Sequence, residues 1–140
     1  MKPSAERITA GANAMNAISD FLSQRQKLAV RDLMHGEEGD FFIDKMIELA
    51  ARIAAMPHTY QQDGLGDKAI AYLHYFVGNF DCWITEKDME AEQLQAFGLA
   101  KFAGSDAELG YISLVEVLAN HAELDFHFTP KTIREIKSEL

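Results

Sequence analysis

The chain has 140 residues, 48% of them hydrophobic, with 13 Lys/Arg against 22 Asp/Glu, a net charge of −9 and one cysteine. This length builds one core without covalent staples, and a lone cysteine excludes an intramolecular disulfide and suits a reducing compartment. No stretch approaches the roughly 18 apolar residues of a membrane span, and the N-terminus lacks the apolar core of a signal peptide, so a cytoplasmic protein is expected.

In chain order, the first predicted helix runs from Ser4 to about Ile18, with Ile8, Ala12, Met15 and Ile18 at helical spacing. Ser23-Gln-Arg-Gln26 matches a capping box and opens a second helix that Gly36 closes. Asp40 caps a third, which carries Phe42, Met46, Leu49, Ala50 and Ile53 on one face and ends by Pro57. Residues 58–68, with Asp63-Gly64 and Gly66-Asp67, read as a flexible glycine-rich connector. Two β-prone runs, Ile70 to Val77 and Phe80 to Glu86, then flank Gly78-Asn79, a two-residue hairpin signal.

An acidic loop from Glu86 to Glu92 leads to a strand over 93–102, and a Gly104 turn leads to another over 108–112. Ser113-Leu-Val-Glu116 is a second capping box, for a helix ending near Asn120. Leu124 to Phe128 reads as a short last strand, and Thr129-Pro130 as the start of a terminal helix over 131–140. The expected architecture is a single α+β domain: a helical block over 1–57, the connector, and an antiparallel meander of three to five strands with C-terminal helices over 69–140.

Charge is unevenly spread. Residues 1–57 sum to −1, residues 58–128 to −9 and residues 129–140 to +1. A nucleic-acid binder needs a basic face to displace counterions from phosphate, so direct nucleic-acid binding is not expected and a basic protein is the expected partner. The helices over 23–56 do not read as a DNA-binding pair, because Asp44 and Glu48 offset Lys45 and Arg52.

The second half carries a series of short motifs: Tyr72-Leu-His-Tyr-Phe76, Trp83-Ile-Thr-Glu86, Ala96-Phe-Gly-Leu99, Glu108-Leu-Gly-Tyr-Ile-Ser-Leu114 and Asp125-Phe-His-Phe128. In type and order they resemble the family called Domain of Unknown Function twenty-nine fifty-eight, over roughly residues 69–131. The resemblance implies a protein encoded by a plasmid, phage or integrated element, and implies no reaction. The N-terminal helices lie outside it.

Candidate chemistry is sparse. Glu86, Asp88, Glu90 and Glu92, with Glu108, contain the carboxylate pair that general acid-base catalysis uses, but alternate acids in a polar loop are more simply a solvated, partner-facing rim. His121 and His127 match no metal-ligand spacing, and no cofactor or metal is expected. Cys82 alternates with Phe80 and Ile84 on a core face, which makes it inert, and Gly64-x-Gly66-Asp-Lys68 lacks Walker spacing.

The aromatics fall on both strand faces, so the helices cover both or leave an aromatic patch rimmed by acids. The expected function is therefore non-enzymatic. It is a mobile-element protein acting by protein-protein contact, as an anti-defence inhibitor of a host nucleic-acid system, through an acidic surface formed by Asp81, Trp83, Glu86, Asp88, Glu90, Glu92 and Glu108. The alternative is a small enzyme or ligand binder that uses the acidic loop with His74 or His127.

Overall fold

Ser4, in extended backbone, accepts a hydrogen bond from the Arg7 N–H and opens helix α1 (Ala5–Ala17). Ser23 does the same for the Gln26 N–H at the start of α2 (Gln24–Met34), and α3 spans Gly39–Ala55. The computed structural model describes residues 1–140, in two units, Met1–Ala55 and Met56–Leu140.

In the first unit Ile43, Met46, Leu49 and Ile53 form the buried stripe of α3, and Met15, Val30 and Met34 are buried on the other two helices. Asp40 is not the cap expected of it. It lies in the first turn of α3, and with Asp44 it holds Arg7 of α1 at 3.1 and 2.6 Å. Gly36 is likewise no left-handed cap, since α2 ends at Met34 and Gly36 does not take positive φ.

The second unit is a five-stranded antiparallel sheet in the order β5-β4-β3-β2-β6, formed by β2 (Leu73–Val77), β3 (Phe80–Glu86), β4 (Ala96–Phe102), β5 (Glu108–Ile112) and β6 (Glu123–Leu124). The predicted hairpin is present: Val77 pairs with Phe80, and Gly78 takes the left-handed φ of 51° that a two-residue loop requires. One sheet face carries the buried Leu73, Tyr75, Cys82, Ile84 and Leu124. On the other, Trp83 and Leu99 pack with Ala69, Ala71, Phe128 and two residues of α5 (Ile133–Ser138), Ile133 and Ile136. Helix α4 (Leu114–Ala119) follows β5, capped by Ser113. No helix is long and apolar enough to cross a membrane.

Four boundaries differ from expectation. The strand expected over Ile70 to Val77 is broken at Tyr72, so Ile70–Ala71 lies outside the five-stranded sheet. The strand expected over 93–102 begins at Ala96, because Leu94 and Gln95 give their N–H groups to the Asp88 carboxylate instead of to a ladder. The last strand stops at Leu124, because the Asp125 side chain takes the His127 N–H in a local turn. The terminal helix starts at Ile133 and not at Lys131. Lys131–Thr132 form β7, paired with β1 (Ile70–Ala71), and Thr132 with Glu135 makes the complete capping box.

Candidate functional site

The site begins with a break in the β3–β4 ladder. Trp83 pairs with Leu99 and Ile84 with Gly98, yet the next pair is Glu86 with Phe97, so Thr85 is the extra residue of a bulge. Side chains alternate along a strand, and without the bulge Glu86 would share the face of Ile84. The extra residue returns it to the face of Trp83 and Phe97. Gly98 permits the close approach, since a Cβ there would lie 1.9 Å from the Trp83 carbonyl oxygen.

Glu86 is only 4% exposed. The Thr85 hydroxyl donates to its Oε2 at 2.5 Å, and the Gln62 N–H reaches its Oε1 at a long 3.4 Å. No Lys, Arg or His stands within ion-pair distance of it. The segment expected to be a flexible joint is what encloses this acid. The Gln62 side chain donates to the carbonyls of Ile70 and Thr85 at 2.9 Å and accepts the Ile70 N–H at 2.8 Å, while the Thr59 N–H and hydroxyl both reach the Lys87 carbonyl. Tyr60, with φ 80°, places its hydroxyl 2.9 Å from that of Tyr111.

Around Glu86 lies a cleft of about 350 Å³ walled by Tyr60, Phe97, Leu109 and Tyr111, with Gly64 and Gly66 at its edge. The Phe97 and Tyr111 rings meet edge to face at 5.6 Å, and Tyr60 meets Tyr111 at 6.4 Å and 79°. The Tyr111 phenol is held above its ordinary pKa, first by the hydrogen bond with Tyr60 and then by burial and the nearby Asp63 charge.

The expected acidic surface is only partly a surface. Glu90, Glu92 and Glu108 are exposed, but Trp83, Glu86 and Asp88 are buried, which corrects their placement on an exposed surface. Asp88 is buried because it organises the loop, accepting the N–H groups of Glu90, Leu94 and Gln95. Asp81 is half-buried and engaged with His74.

That histidine forms a second cluster. Its Nε2 lies 2.8 Å from Asp81 Oδ1 and its Nδ1 2.9 Å from Asp125 Oδ2, so both ring nitrogens are occupied. Burial raises the pKa of Asp125, but the His74 hydrogen bond, the His127 N–H and the charges of both histidines outweigh it and hold the carboxyl below the usual aspartate value. Cys82 points to the opposite face, beside Tyr75, so it makes no dyad with His74. Burial, then the Asp81 charge, pushes its thiol up to about 12. His121 and His127 are exposed and are not brought together with other ligand types into a group that could hold a metal.

Sequence reasoning missed Tyr60 and Gln62 as site residues, and it noted Phe97 and Tyr111 only as aromatics. The one available signal was Gly98, since a glycine inside a strand marks a bulge or a close backbone approach. No protein family, curated protein or solved structure matches this chain.

Proposed function

We propose that this is a non-enzymatic interaction module whose binding surface is the free β5 edge of the sheet, and whose partner is a basic protein. One observation carries the reading: Phe102, Leu109 and Tyr111, at 60, 37 and 58% exposure, lie on or beside the edge strand, with the exposed acids Glu108 on that strand and Asp106 in the turn before it. An edge strand offers unpaired backbone groups to an extended segment. Apolar side chains ringed by carboxylates favour a segment that is itself basic and partly apolar. The 12 acids against 3 bases over residues 58–128 add a summed field that attracts such a partner and repels nucleic acid. Within this proposal, the family resemblance puts the protein on a plasmid or phage, and the basic partner is a nucleic-acid-handling protein of the host whose binding face the module occupies.

The enzyme alternative has less support. Both nitrogens of His74 are taken by carboxylates, and Asp88 is committed to its own loop. The test is photo-crosslinking of the full chain in its own cells, with benzoylphenylalanine at Phe102 or Tyr111, and at Phe41 of α3 as an exposed control. Adducts to one basic protein from the two sheet positions alone support the reading. Equal yield from Phe41, or no adduct at either sheet position, contradicts it.

A further inference from the structure

A carboxylate taken out of water is costly unless a cation or several hydrogen bonds answer it, as three N–H groups do for Asp88. Glu86 has one short hydrogen bond from Thr85 and one long one from Gln62, and no ion pair. We propose that the cleft over Glu86 is a binding site for a single organic cation, an alkylammonium or guanidinium group, with Glu86 as its counter-charge and the rings of Tyr60, Phe97 and Tyr111 as its walls.

Three features fit this occupant. The rings stand nearly perpendicular to one another, 88° for Phe97 with Tyr111 and 79° for Tyr60 with Tyr111. All three line the cleft with Glu86, and an aromatic ring attracts a cation over its face. The volume of about 350 Å³ falls at the small end of ligand pockets, the scale of a side-chain head or a small amine. The lining also contains no Lys, Arg or His, and Asp63 adds a second negative charge, which disfavours anions.

The site is built rather than incidental. The bulge at Thr85 turns Glu86 into the cleft, and Gln62 fixes the facing loop with three side-chain hydrogen bonds. Gly64 and Gly66 leave the edge open, since a Cβ at either would meet nothing within 4 Å. The cation comes either from a lysine or arginine of the basic partner, in which case this inference rests on the preceding reading, or from a free amine.

The test is an amide chemical-shift titration of the full chain with choline, butylammonium and butylguanidinium. The neutral isostere of choline, 3,3-dimethylbutanol, and sodium chloride at matched ionic strength serve as controls. The expected result is saturable shifts at Tyr60, Gly64, Gly66 and Tyr111 for at least one cation, about tenfold tighter than for the neutral isostere. The Tyr111→Leu variant, at an exposed position, is expected to lose about tenfold of that affinity, and Glu86→Gln to lose the preference for charge. Should Glu86→Gln fail to fold, the isostere comparison and the Tyr111 variant still decide.

Equal binding of cation and isostere, or no saturable shift at those amides with any cation, overturns the site. A lysine- or arginine-bearing peptide that binds more tightly than its free side-chain analogue identifies a partner protein as the source, and equal binding identifies a free amine. Failure of every small cation removes the cation site and leaves the crosslinking test of the partner reading intact.

Discussion

His74 and Trp83 face each other across the β2–β3 ladder with ring centroids 5.0 Å apart and planes 11° from parallel. The stack seats the imidazole between Asp81 and Asp125, so β2, β3 and the turn after β6 are joined at one point. A carboxylate only accepts hydrogen bonds, so both contacts are made together when the ring carries a proton on each nitrogen.

The pH dependence follows from Asp125. Its carboxyl is held below the usual value, so the stability it contributes is complete above the unfolded value of about 3.9 and is lost as pH falls through the lower folded value. Asp125→Asn is expected to lower stability near neutral pH, and the gap from wild type is expected to shrink at about pH 3 and below. Urea denaturation at both pH values checks this. A gap that stays constant would show that Asp125 acts through packing alone.

Gly98→Ala is expected to be among the most damaging single-methyl changes in the sheet. The added carbon would strike the backbone carbonyl of Trp83, and backbone does not rotate away as a side chain tip does. A loss of about 2 kcal/mol or more is expected, together with shifted amide resonances at Thr85 and Glu86 as the bulge moves. Gly110→Ala, where a Cβ meets nothing within 4 Å, is the matched control on the neighbouring strand.

Cys82 is expected to resist alkylation in the folded protein at mildly alkaline pH, because it is buried and its thiol is pushed up to about 12. Labelling by iodoacetamide should follow global unfolding, rising with urea in step with the loss of structure. Fast labelling of the native chain would show that the face carrying Tyr75 and Cys82 opens locally.

What the sequence made legible was local chemistry. Ser23 and Ser113 cap helices as expected because a cap needs only a neighbouring hydroxyl and amide, and Gly78-Asn79 turns because its loop has only two residues. Pairing across distance was not legible. Glu86 and Asp88 look solvated in an alternating acidic run, yet one is turned inward by a bulge that Gly98 permits from another strand, and the other collects three backbone N–H groups. Thr129 was expected to open the last helix, but the cap is Thr132. Thr132 prevails because Glu135 stands three residues on to complete the box, whereas Thr129 has only Thr132 at that spacing.

The central claim is that the acidic β5 edge binds a basic partner through a summed field. The decisive measurement is the affinity of the crosslinked partner for Asp106→Asn and Glu108→Gln, singly and combined, across a salt series. Rim charges that steer and hold a partner lose little each, about 0.2–1 kcal/mol, and much together. The account predicts a modest loss for each single change, a steep loss for the combination, and a wild-type affinity that added salt weakens in the same way. Abolished binding from one neutralisation, with wild-type affinity indifferent to salt, would contradict it.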